Sequence, residues 1–367
     1  MVRHFIYVSL AVMAMVFSSC SKDEAVIVPE QEEEEETTGQ TSEREVWEFD
    51  VKVMIDRETF KLCMSDEEIV KKKLQERFDD VAELYHGKKG TTYFDADIKF
   101  NPVFESSFVY DESSEEMFRN GAKHRGEYPY LLIMDACVGD YEGERTHSDW
   151  TGWGYEVVCM FDNGLGAADG GATVYDMLNQ YKISEAIAHE LGHARGVPDI
   201  YAMEIKSNPV CGLTFSPVKC IMNICWGGDS WSEYSQLLIN RNKDLIVGEA
   251  GFTPLEKPDF PETVNISFTK DGNTVSDSEV KVYASKMYSG VLDKDPVESF
   301  TTDDKGIMSF SPKEIYTDVN SGNYLYGTLM LEIIYGEDKY YSFLPVYNVQ
   351  VPYLKNSSNE VTLDIKL

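Results

Sequence analysis

The sequence is short of positive charge. Lysine and arginine number 33 against 64 aspartates and glutamates, a formal net charge of −31. No basic stripe is present to neutralise a run of phosphates, which excludes nucleic acid as a partner. The same imbalance excludes direct attraction to an anionic membrane surface. Histidine is scarce too, with six in 367 residues and none after His193, so a site built on imidazoles must draw on that residue or earlier ones. Long hydrophobic runs are also missing. The stretch FIYVSLAVMAMVF is 13 residues long, too short to cross a bilayer comfortably. No internal repeat is visible.

What is present is the makings of a sizeable core: 43% hydrophobic and 12% aromatic residues, in a chain long enough for two domains. The first twenty residues stand apart. A basic start, MVRH, leads into the apolar run and then into SSC, ending at Cys20. This pattern resembles a bacterial lipoprotein signal, which implies that Cys20 is lipidated and that the mature chain is anchored to the outer membrane, facing the surface or the periplasm. Membrane contact is then expected through the lipid alone. Residues 21–45, including EQEEEEE, are acidic and without periodicity, and read as a solvated tether.

Structured patterning begins at Val46. VWEFDVKVMI alternates as a strand does. A helix follows, with Ile69, Leu74, Phe78, Val81 and Leu84 on one face, Ser65 placed to cap it and Gly87 to end it. TTYFDADIKFNPVFE, YPYLLIMDACV and GWGYEVVCMFDN read as further strands, the last followed by the glycine-rich GLGAADGGA. An α/β domain over residues 46–251 is the expectation. Proline and glycine in VGEAGFTPLEKPDFPE mark a linker, and residues 252–367 then carry short β-rich runs separated by turns, from TVNISFTK to EVTLDIKL. These predict an all-β sandwich, similar to the immunoglobulin-like and transthyretin-like modules of secreted bacterial proteins. A spacer or docking role is its default reading.

The chemistry concentrates in AHELGHARGVPDIYAM. His189 and His193 stand four residues apart, so a helix presents both imidazoles to one point, the arrangement a tetrahedral metal asks of two ligands. Glu190 follows the first of them and can take a proton from water at the open coordination position. Gly196 lies where a helix can end through a left-handed turn, and the chain can then double back to offer Asp199. A glutamate from a later helix, Glu233, is the other candidate third ligand, and the upstream histidines beyond the signal-like start are His86, His124 and His147.

The string HELGHARGVPD resembles HExxHxxGxxD, the aspartate form of the metzincin zinc-peptidase motif. The resemblance implies that His189, His193 and Asp199 bind one catalytic zinc and that Glu190 is the general base. It implies a protein or peptide substrate, pairing as an extended strand with an edge strand, for which GYEVVCMFD is the candidate. Met222, in KCIMNICWGG, looks like the structural methionine turn of that family, though Ile224 stands where some branches carry a tyrosine ligand. The function expected is therefore a zinc metalloendopeptidase hydrolase on a cell-surface lipoprotein. The rival is a non-catalytic adhesion or glycan-binding lipoprotein, in which a retained Glu190 would have no purpose. Among the cysteines, Cys137 and Cys159 fall in apolar strand patterns, and Cys63 precedes the first long helix. Cys211, Cys220 and Cys225 surround Met222, where a local disulfide could pin the turn.

Overall fold

The computed structural model describes residues 44–62, 66–86, 93–111, 124, 126–135, 146–150, 155–160, 181–224, 228, 230–244, 260–318, 320 and 324–367. Cys20 and its signal-like run, the acidic stretch, Ser65, Gly87, the glycine-rich loop, Cys63, Cys137, Cys225 and most of the expected linker lie outside these residues.

The architecture is mixed α/β with several sheets, none closed into a barrel. The N-terminal part runs β1 (Val46–Asp56), α1 (Arg57–Leu62), α2 (Glu67–Leu84), β2 (Asp97–Val103), β3 (Val109–Tyr110), β4 (Tyr130–Asp135), β5 (Thr146–Trp150), β6 (Tyr155–Met160) and α3 (Tyr181–Ala194). Its sheet has the order β2-β1-β4-β6-β5, with β3 also paired to β1. All neighbours are parallel except β5, which runs antiparallel to β6. In β1 the run Val51 to Ile55 is buried without alternation, as a parallel strand covered on both faces must be. The one charge within that run, Lys52, is matched by Glu105 at 2.8 Å.

Three details of this region depart from expectation. Of the run GYEVVCMFD, YEVVCM forms β6, which is paired on both sides and so is not an edge; the edge on that side is β5, the polar segment THSDW, which includes His147. In α2 the buried stripe is Val70, Leu74, Phe78, Val81 and Leu84, while Ile69 faces outward. Position 69 sits about 100° round the helix from 70, off the line that 74, 78 and 81 define. The cap is Asp66, whose carboxylate accepts from the Ile69 amide at 3.2 Å.

Helix α2 carries α3. Tyr85, just past the end of α2, donates its hydroxyl to Ala188 O at 2.9 Å, and Ser184 donates to Asp80 at 3.1 Å. The Trp231 indole donates to Leu84 O at 3.0 Å, and its ring packs on Tyr85 with centroids 4.6 Å apart. Helix α3 also lies against β5 and β6. It is thus held between a helix and a sheet, with its C-terminal half aimed into the molecule.

After α4 (Glu233–Arg241) the C-terminal part contains β7 (Thr263–Lys270), β8 (Asn273–Thr274), β9 (Glu279–Lys286), β10 (Glu298–Thr301), β11 (Ile307–Phe310), α5 (Pro312–Tyr316), β12 (Tyr326–Tyr335), β13 (Asp338–Pro345), α6 (Val346–Asn356) and β14 (Glu360–Lys366). One sheet has the order β10-β9-β12-β13, the other β11-β7-β14 with β8 on β7. This part is not all β. The run KYYSFLPVYNV divides at Pro345, where a residue without an amide proton ends the ladder and caps α6. Nor is the pairing wholly antiparallel, since β14 runs parallel to β7.

The two parts share one continuous buried cluster. Strand β12 is buried on both faces from Gly327 to Ile333. Thr328 donates to Met203 O at 2.7 Å, and the Lys206 and Leu292 amides cross the seam to Gly290 O and Ser207 O at 2.8 and 2.9 Å. Between α4 and α6, Tyr234 donates to the buried Gln350 side chain at 2.6 Å. Seam contacts of this kind do not depend on the linker. Limited proteolysis within about residues 250–262 is therefore expected to give two fragments that still co-elute under native conditions. Separation of the fragments on a sizing column without denaturant would contradict this packing.

Candidate metal centre

The end of α3 is built by a Schellman turn. The Val197 amide donates to Gly192 O at 3.1 Å and the Gly196 amide to His193 O at 2.8 Å. Gly196 has φ +87°, a conformation that costs a side-chain-bearing residue and suits glycine. Arg195, fully buried, anchors this end: its guanidinium bonds Tyr130 Oη at 3.0 Å and lies 4.5 Å from the Phe49 ring centroid, on β4 and β1 respectively. Beyond the turn, Asp199 precedes a short 3₁₀ helix, Ile200–Met203.

This path brings three ligand atoms together. Asp199 Oδ1 lies 3.2 Å from His189 Nε2 and 3.1 Å from His193 Nε2, and all three residues are buried. The far nitrogens settle the tautomers. His189 Nδ1 is 2.9 Å from Ile221 O, and His193 Nδ1 is 2.6 Å from Val197 O. A carbonyl only accepts, so each Nδ1 carries the hydrogen, and in the neutral form each Nε2 presents a lone pair. Two lone pairs and a carboxylate oxygen facing one point repel unless a cation lies between them. With both imidazoles neutral, Asp199 Oδ1 is buried and receives no hydrogen bond among the described residues, so either a cation or a proton on an imidazole must lie against it. The donor set, two imidazole nitrogens and one carboxylate, suits a divalent metal.

Glu190, 5% exposed, lies beside the first of these ligands, and its Oε2 is buried without a hydrogen-bond partner among the described residues. Met222 sits in the turn below. Its carbonyl accepts from the Ile200 amide at 2.9 Å, and a methyl group added to Gly192 would come within 2.7 Å of its sulfur. The turn is therefore pressed against α3 between the two histidines, with the neighbouring Ile221 carbonyl directed at His189. Cys211 and Cys220 do not join to brace it. Asn223 does so instead, donating to Val218 O at 2.9 Å.

Two of the other sequence candidates, Glu233 and His86, fall elsewhere. Glu233 opens α4 and pairs with Lys355. His86 lies at the end of α2, with Nδ1 2.8 Å from Asp97. One residue at the centre had no sequence signal. Tyr288, from the turn after β9, donates its hydroxyl to Asp199 Oδ2 at 2.8 Å across 89 positions of chain. No protein-family model matches the chain, and no curated protein matches it significantly.

Without metal, a proton takes the cation's place. Burial opposes a charged His193, but the Asp199 carboxylate outweighs it, and His193 is pushed up from 6.5 to about 9. Burial likewise works against a charged Asp199, yet the imidazoles beside it hold its carboxyl well below the usual carboxylate range. The His193 contribution to stability is complete below the unfolded value of 6.5 and is lost as pH rises through about 9. Chelator-treated protein is therefore expected to melt at progressively lower temperature across that window, while metal affinity rises over the same range because the metal displaces the proton. Melting curves with and without chelator at several pH values check both slopes.

Gly192→Ala tests the packing. The added methyl meets Met222 Sδ at 2.7 Å and the rigid Trp231 ring at 3.0 Å. Overpacking of this kind costs ~1–3 kcal/mol, against a gain in helix propensity of ~1 kcal/mol at most. Net destabilisation in denaturant unfolding, with weaker metal retention, is the expected result.

Proposed function

We propose that the chain is a zinc-dependent endopeptidase of the metzincin type, hydrolysing peptide bonds in extracellular proteins. The observation that carries this reading is the convergence of two carbonyl-tied imidazoles and one carboxylate oxygen beside a buried Glu190. The left-handed turn at Gly196 and the position of Met222 beneath α3 support it further. So does the largely parallel sheet, with its antiparallel edge strand beside α3.

In this reading His189, His193 and Asp199 hold one zinc ion, which when bound acidifies water and polarises the scissile carbonyl. The chain's own residues do the rest. Ile221 O and Val197 O fix the imidazole rings so that neither ligand nitrogen is lost to the wrong tautomer. Glu190 takes the proton of the attacking water and returns it to the leaving amine. Its burial gives it few competing partners. The substrate lies extended along β5 as an added strand, in place of the β6 edge expected from the sequence. The acidic stretch and the lipid-modified Cys20 are proposed to hold the enzyme at the outer membrane.

Separating binding from chemistry tests the assignment. Glu190→Ala is expected to keep one zinc per chain and to lose ~10²-fold or more of the activity on an unfolded protein substrate. Asp199→Ala is expected to give up zinc to a mild chelator. Equal activity in parent and Glu190→Ala would sink the peptidase assignment, and undiminished zinc binding by Asp199→Ala would place the third ligand elsewhere.

A further inference from the structure

We propose that Tyr288, carried by the C-terminal sheets, is a positioning residue of the metal centre: its hydroxyl holds Asp199 so that one carboxylate oxygen faces both imidazoles. The inference rests on the metal-binding reading above and extends the centre into a part of the chain expected to be a spacer.

Three observations carry it. The Asp199 carboxylate divides its two oxygens, Oδ1 to His189 and His193 at 3.2 and 3.1 Å and Oδ2 to the Tyr288 hydroxyl at 2.8 Å. An aspartate side chain turns about two bonds, and a donor on the far oxygen selects the rotation in which the near one points at the metal position. Second, Tyr288 has φ +64°, a left-handed backbone that a tyrosine adopts only under constraint. The constraint is visible: its amide donates to Ala202 O at 2.9 Å, and Gly290 O, two residues on, accepts from the Lys206 and Ser207 amides at 2.8 and 3.0 Å. The turn after β9 is thereby laced to the segment just past Asp199. Third, the strain is not explained by burial of the ring, since Tyr288 is 63% exposed and meets Tyr201 edge to face with centroids 6.1 Å apart. An exposed, strained tyrosine whose polar end reaches a buried ligand carboxylate fits a role exerted through that carboxylate.

The test uses the full chain, stripped of metal and titrated with Zn²⁺ against a chromophoric chelator. Tyr288→Phe removes the hydroxyl and leaves the ring. It is expected to weaken zinc binding ~10–100-fold, the usual effect of losing a group that orients a ligand. It should also alter the visible spectrum of the Co²⁺ form, while the metal-free protein stays folded at the temperature of the titration. Adding it to Asp199→Ala is expected to weaken binding no further, because the hydroxyl acts through that carboxylate. Zinc binding by Tyr288→Phe equal to the parent's would overturn the inference alone. A Co²⁺ spectrum identical to the parent's would overturn it too, by making Tyr288 a seam residue that leaves the ligand geometry untouched. A parent that takes up no zinc would remove the metal-binding reading itself.

Discussion

Everything at the centre depends on two carbonyl oxygens. Imidazoles a helical turn apart can point at one place in many conformations, but they offer lone pairs there only if their other nitrogens are held as donors. Val197 O and Ile221 O do this for His193 and His189. Neither carbonyl belongs to the helix. The first is delivered by the left-handed turn at Gly196, the second by a turn that fits beneath α3 because Gly192 has no side chain. A candidate metal site of three side chains is therefore also a site of two loops, and the glycines are as much a part of it as the histidines. The buried guanidinium of Arg195, lodged between Phe49 and Tyr130, joins this end of the helix to the sheet, so the loops are referred to a rigid frame.

The sequence displayed the local part of this arrangement and hid the rest. His189, Glu190, His193, Gly196 and Asp199 fall within eleven residues, where helix period and turn chemistry dictate what meets what, and the structure brings His189, His193 and Asp199 together as that spacing suggests. Glu233 could be separated from Asp199 only by where α4 lies and by its Lys355 partner, neither of which is a local property. Tyr288 was illegible for the same reason. It is one of 22 tyrosines, and what distinguishes it is a strained backbone enforced by amides from another part of the chain.

At the level of elements, the long helix and the hydrophobic strands were readable from period and composition. The exceptions have physical causes. Strand β5 is a polar segment, stabilised by the β6 backbone beside it rather than by an apolar pattern of its own. Only the first position of the α2 stripe differs, Val70 in place of Ile69, because both are apolar and only packing chooses between them. Helix α6 was masked by a β-rich sequence whose break is a single proline. Parallel pairing of β14 with β7 leaves no local trace at all, since pairing partners that far apart share no turn.

That last pairing has a consequence for order in time. Strand β14 follows β7 only after the intervening strands β8 to β13, so the sheet between them cannot be completed while β14 is still unsynthesised. The turn that bears Tyr288 is mounted on the neighbouring sheet of the same part, and β12, at the heart of that sheet, packs against the segment following Asp199. The histidine helix packs on elements made before it, α2, β5 and β6. The groups that hold its third ligand come from the turn after β9 and from β12, so the centre cannot be completed until that sheet has joined the earlier part of the chain.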